Sequence, residues 1–198
     1  MRLFLTLVLG AITVLTLTND PLAQVSSSSK SSAAVASMER KLQHIQSNAK
    51  VSQPDQTPTE FTEQEVNAYF ASGAVKPPAG VQSVMFQGQP EVVTATARVD
   101  FDQLKAGHRS SNPLLSMFSG IHDVVVAAHV RGAGGQGYVN VDTVSLDGVE
   151  IPRFALQMFV EKYLQPKYPG VGLDSKFALP NRIDTAKVGL HKLTITQK

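Results

Sequence analysis

The segment from Val93 to Phe101 constrains this chain more than any other. Val93, Ala95, Ala97, Val99 and Phe101 fall on one side of an extended backbone, and Thr94, Thr96, Arg98 and Asp100 fall on the other. That is the period of two required of a half-buried strand. The stretch VQSVMFQ precedes it across GQP, a turn signal, so the pair reads as an antiparallel hairpin. DVVVAAHV and GYVNVDTVSL repeat the arrangement across a glycine-rich turn and run on to Asp147–Gly148. Two successive hairpins commit the chain to an antiparallel sheet.

Helical signals surround these hairpins. Thr62 followed by Glu65 is a capping box, which opens a helix through Val66, Tyr69 and Phe70 with Gly73 as its stop. Asn112–Pro113 starts a short helix that contributes Leu114, Leu115 and Phe118. Ile151–Pro152 opens a longer one, about 153–165. Its residues Ala155, Leu156, Phe159, Val160, Tyr163 and Leu164 form an apolar half-cylinder opposite Gln157, Glu161, Lys162 and Gln165. So wide an apolar face implies a helix embraced by sheet. Two last strands are expected around 171–179 and 186–196. The alternation slips phase twice, from Tyr138, Val139 and Val141 to Val144 and Leu146, and from Val188 and Leu190 to Leu193 and Ile195. Phase slips are the mark of β-bulges, which bend a sheet. The fold class predicted is α+β, a long curved antiparallel sheet wrapped around a buried helix, with additional short helices.

Upstream of this domain the pattern changes. Residues 1–23 carry Arg2, an apolar run from Leu3 to Leu17, then Asp20, Pro21 and Ala23, the layout of a removable secretory signal. A periplasmic or secreted location follows as the expectation, with membrane contact peripheral at most. Residues 24–57 read as a Ser-rich tether, a short amphipathic helix and a Pro-containing linker, dispensable for folding. In that helix Val35, Met38, Leu42, Ile45 and Ala49 are spaced three and four apart, one narrow apolar stripe that docks on the domain or on a partner, or else leaves the helix partly frayed. Residues 58–198 are then a single domain.

Composition removes several function classes. The chain has no cysteine, so thiolate chemistry, disulfides and cysteine-ligated metals are out. The formal net charge is +2 with Lys and Arg scattered, against a nucleic-acid partner. The C-terminal cations Lys176, Arg182, Lys187, Lys192 and Lys198 read first as a solvated surface, with contact to lipid headgroups as the alternative. Trp is absent, which disfavours a sugar-stacking surface.

Motifs for catalysis are equally sparse. GAGGQG at 132–137 fits a dinucleotide-binding pattern, but a strand follows it where a helix N-terminus would be needed, so it reads as a hairpin turn. His44, His108, His122, His129 and His191 make no metal-binding pair. There is no G-x-S-x-G elbow. Asp100 and Asp102 read as an exposed strand end. No catalytic residue, metal or cofactor is assigned, and the chain is expected not to be an enzyme.

The order of elements resembles the small periplasmic tubular lipid-binding (BPI-like) proteins over about residues 59–198. It rests on T-E-Q-E-V-N-A-Y in a helix, long hairpins, V-S-L-D-G-V-E-I-P before an apolar helix, and V-G-L before a terminal strand pair. The resemblance implies a sheet that encloses an apolar ligand. The matching wall positions would be Val93, Ala95, Ala97, Val99 and Phe101 on the strand, with Leu156, Phe159, Val160 and Tyr163 on the helix. The function expected is binding of a lipid or isoprenoid-like ligand in the cell envelope. The alternative is an envelope scaffold with a filled core, joined to a protein partner through residues 35–49.

Overall fold

The computed structural model describes residues 28–105 and 112–198. The signal-type segment 1–23 and His108 lie outside the described residues. The elements in chain order are α1 (Ser28–Asn48), β1 (Thr59–Thr62), α2 (Glu63–Ala71), β2 (Val81–Gln89), β3 (Val92–Asp100), α3 (Phe101–Leu104), a 3-10 turn (Pro113–Leu115), β4 (Ile121–Ala133), β5 (Gln136–Leu146), β6 (Val149–Glu150), α4 (Arg153–Phe159), a π-helical turn (Val160–Leu164), β7 (Asp174–Ala178), β8 (Ile183–Gly189) and β9 (Lys192–Gln197).

All nine strands join one antiparallel sheet, the α+β class read from the sequence. Strand β4 organises it. One edge of β4 pairs with β5 along most of its length, and the other edge is shared in succession by β3 and β8. The handover is made by Glu91, whose N–H donates to the Val188 carbonyl at 3.0 Å while its own carbonyl accepts from Val130 N–H at 2.8 Å. Where β4 and β5 come against β8 and β7, Gly132 and Gly137 are needed for close approach. A Cβ on Gly132 would sit 2.7 Å from the Ala186 side chain and backbone, and one on Gly137 would sit 2.6 Å from the Phe177 ring.

The phase slip in β5 is a bulge. Ala127 pairs with Thr143 and Ala128 with Val141, leaving Asp142 as the extra residue. The second slip is something else: Leu190 and His191 form the two-residue turn between β8 and β9, with His191 at φ +54°. The C-terminal region accordingly holds three strands where two were expected. Phe101 also departs from the strand reading. It is the first residue of α3, which Asp100 caps by accepting from the Asp102 and Gln103 N–H groups at 3.0 Å, yet its side chain stays buried.

Helices cover the sheet in two groups. α4 and its π-helical turn press Ala155, Leu156, Phe159, Val160 and Tyr163 inward and leave Phe154, Glu161 and Lys162 exposed. The 3-10 turn beside α4 buries Leu115 and Phe118, while Leu114, expected in the core, is exposed. The second group is α1 with α2, on β1 and β2 and against buried side chains of β8 and β9. Of the segment read as a tether, residues 28–57 are described, and the apolar stripe docks on the domain, one of the placements expected for it. Met38, Leu42 and Ile45 are 2, 2 and 0 % exposed, packed with Phe61, Val66, Tyr69 and Ile195. The stripe that could have met a partner through residues 35–49 is therefore covered by the chain's own domain.

Polar bonds fix α1 in place. The Asn48 amide donates to the Asp55 carbonyl and to Gln197 Oε1, both at 2.8 Å, and the Gln197 amide donates to the Ile45 carbonyl at 2.8 Å and the Asn181 carbonyl at 2.6 Å. Asn48 and Gln197 are both buried, so each of these bonds satisfies a group that would be costly to leave unpaired. The capping box of α2 forms as read, with Glu65 N–H on Thr62 Oγ1 and Thr62 N–H on Glu65 Oε2. Lys41 of α1 then places its ammonium on the same Glu65 carboxylate, at 2.6 and 2.7 Å.

Candidate functional site

Beneath α4 the sheet is lined with small residues. The inward positions of β3 are Ala95, Ala97 and Val99, and β4 adds Val124, Val126 and Ala128. Side chains this short do not reach the helix, and interiors close such gaps only when larger groups are available. A cavity of about 160 Å³ remains between sheet and helix. Its far wall is aromatic: Phe159 packs on Phe118 with ring centroids 4.4 Å apart and on Phe101 at 5.4 Å. Among the lining residues, Tyr168 alone carries a polar side-chain group.

The π-helical turn shapes this wall. Gln165 N–H donates to the Val160 carbonyl at 2.9 Å, a bond spanning five residues instead of four. The wider turn brings Val160 and Leu164 to the cavity together with Leu156 and Phe159. After it, Tyr168 N–H donates to the Leu164 carbonyl at 2.8 Å and sets Tyr168 on the same wall.

Val93, Ala95, Ala97, Val99, Phe101, Leu156, Phe159 and Val160, all read from the sequence, line this one cavity. Tyr163 is not among its lining residues. Its ring packs against Phe159 at 5.3 Å, and its hydroxyl is buried with no hydrogen-bond partner. Phe118, Leu104, Leu164 and Tyr168 were missed as wall residues. Leu164 was visible on the apolar half of the helix; Leu104 ends the one-turn helix α3, and Phe118 and Tyr168 come from irregular segments, none long enough to carry a periodic signal.

A second cavity of about 70 Å³ adjoins the first, sharing Phe86, Val93 and Val130 and extending toward Phe61, Val66 and Leu193. At the opposite end, a polar clamp closes the sheet. His122 Nδ1 lies 2.6 Å from Asp147 Oδ2, and Nε2 lies 2.8 Å from the Ser119 carbonyl. An acceptor at each ring nitrogen stabilises the imidazolium relative to the neutral ring. The Asp147 carboxylate raises the His122 pKa, against a smaller opposing effect of burial, and the Ser119 carbonyl raises it further. The His122 ring also touches the cavity-lining Phe101, with centroids 5.9 Å apart. Histidine and aspartate thus meet here through Asp147 on the β5–β6 turn rather than through the sequence neighbour Asp123.

The other chemical candidates resolve as structure. Gly134 and Gly135 form the β4–β5 turn at φ +59° and +75°, followed directly by strand, so the glycine-rich stretch offers no helix N-terminus to a phosphate. His129 pairs with Asp142 at 2.7 Å and His191 with Glu63 at 2.8 Å. Among the described residues no group of three His, Cys, Asp or Glu side chains is placed to hold a metal ion, and no helix is long and apolar enough to cross a membrane. No family model, no curated protein and no solved structure matches this chain.

Proposed function

We propose that this protein binds an apolar ligand, a single lipid-type or isoprenoid-like chain, without catalysing a reaction on it. The observation that carries the reading is the cavity under α4. It is apolar on nearly every side and bounded by alanines where larger side chains would have filled it. An apolar cavity of this kind stays free of water and gains from taking up hydrocarbon. Its size limits the occupant. About 160 Å³ is close to the roughly 150 Å³ of an engineered cavity that takes up benzene, and well below the roughly 300–1,000 Å³ of sites for bulky ligands. A short stretch of one slender chain fits; a two-chain lipid does not enter whole. Apart from the Tyr168 phenol the wall presents no nucleophile, and it has no carboxylate or imidazole to activate one, which supports a carrier or sensor over an enzyme. The signal-type opening of the sequence supports action in the envelope or outside the cell.

Native mass spectrometry of the protein from its own host tests this reading. The expected result is a bound adduct that organic extraction removes and that a fluorescent fatty acid replaces. An unmodified mass together with no probe uptake by the extracted protein would contradict it. The alternative, an envelope scaffold, draws on Phe154 of α4 and on Leu114 and Met117 beside it, all exposed. A co-purifying protein with an empty cavity would favour that reading.

A further inference from the structure

The mouth of the cavity has a chemistry of its own. Pro78, Leu104, Leu164 and Tyr168 line the cavity yet keep some exposure to water. They converge at one place. The segment after Pro78 is held against α3, with Asp100 N–H on the Gly80 carbonyl at 2.6 Å and Gly80 packed on Leu104. The chain after the π-helical turn closes the other side, where Lys167 Nζ donates to the Leu104 carbonyl at 3.3 Å. An ammonium therefore stands at Leu104 on the rim, and the next residue along the chain is Tyr168, the single polar lining residue.

Resting on the apolar-cavity reading, we propose that this rim is a head-group site, with Lys167 as the anchor for a single-chain amphiphile that ends in an anion, a carboxylate or a phosphate monoester. Lys167 is exposed, and among the described residues no carboxylate forms an ion pair with it. Its neighbour Lys105 differs, being committed to Asp102 at 3.2 Å. One of the three N–H donors of Lys167 is used on Leu104, which fixes the side chain over the mouth and leaves two for a ligand. A head group held there stays in contact with water, so the charge is not stripped of hydration while the chain enters the cavity. An uncharged head group gains only the burial of its chain. An anionic one gains a charge-assisted hydrogen bond as well.

The test uses the extracted full chain and displacement of a fluorescent fatty acid by dodecanoate, dodecyl phosphate and dodecanol. Dodecanoate and dodecyl phosphate should each bind about tenfold or more tightly than dodecanol, the worth of one hydrogen bond to a charged group. Which of the two binds better identifies the natural head group. Lys167→Gln should erase the preference and leave dodecanol affinity and thermal stability unchanged, and Lys167→Arg should retain the preference. Lys187→Gln, on a distant strand, should change nothing. Equal binding of all three by the wild type would overturn the proposal, as would a Lys167→Gln variant that loses dodecanol and dodecanoate alike. Failure of every competitor and of the probe itself would instead remove the cavity reading on which the proposal stands.

Discussion

The two helical groups cover the same sheet in opposite ways. Under α1 and α2 the residues are large and the space is mostly filled: Leu42, Ile45, Phe61 and Ile183 are each at most 2 % exposed, and Asn48 and Gln197 lock the layer with paired amides. Under α4 the sheet offers alanines, the helix widens into a π-helical turn, and a void remains. Tight packing and satisfied polar groups give stability; a void forfeits contacts and gives room. The half around α1 therefore carries much of the fold's stability, and the half around α4 carries its capacity to bind.

The largest effect that sets the halves apart is removal of α1. A chain restricted to 58–198 loses the burial of Met38, Leu42 and Ile45 and leaves Gln197 without its partners on α1. Losing one such side chain costs about 2–5 kcal/mol, and a domain holds only about 5–15 kcal/mol in all. Cooperative thermal unfolding should disappear in the shortened chain. A sharp transition near that of the longer chain would show the two halves to be independent.

A smaller contrast comes from adding bulk on each side. Ile45→Phe pushes into the closed layer under α1, where Ile45 is fully buried and lines neither cavity, and should cost roughly 1–3 kcal/mol in denaturant unfolding. Ala97→Leu points into the cavity, so it should cost less than about 1 kcal/mol and block probe uptake. Equal costs at the two sites would erase the distinction between filled and open packing.

The smallest effect is acid sensitivity at the joint of α1 and α2. Burial pushes the Glu65 carboxyl up, but the bonds from Lys41, Ser37 and the Thr62 N–H outweigh it and hold the pKa below its ordinary value. A carboxyl depressed in the folded state adds stability that is complete above its unfolded pKa and is lost as pH falls through the folded one. Gln can keep the cap but not the charge that Lys41 binds, so Glu65→Gln should cost about 1 kcal/mol at neutral pH, the scale of one hydrogen bond. The difference from wild type should shrink as the solution is acidified below the carboxylate range. A pH-independent difference would mean that Glu65 acts only through its shape.

Much of the open half was legible in the sequence. The alternation from Val93 to Phe101 identified one wall, and the phase slip after Val141 marked the bulge at Asp142. Two kinds of information were not. The first is distance along the chain. The stripe at Met38, Leu42 and Ile45 is too short to declare its own partner, and the residue that latches its end, Gln197, lies at the far terminus. The second is departure from the regular helix. A period of 3.6 residues put Tyr163 on the apolar half of the helix, and the resemblance made that half a cavity wall. The π-helical turn inserts an extra residue, which moves Tyr163 off the wall and lets Leu164 and Tyr168 take the position. The turn at Leu190 and His191 misled the reading differently. Two residues between strands reverse the chain, yet in a pattern of alternating side chains they look the same as a bulge.

The most direct test of the central claim is diffraction from crystals of the extracted protein under xenon pressure. Xenon enters dry apolar cavities and reports their position without any assumption about the natural ligand. The expected result is a xenon site against Ala97, Val99 and Phe159, absent in Ala97→Leu, with no comparable site under α1. Crystals that show no xenon beneath α4, or side chains closed over the space, would contradict the claim that this half of the molecule is built open.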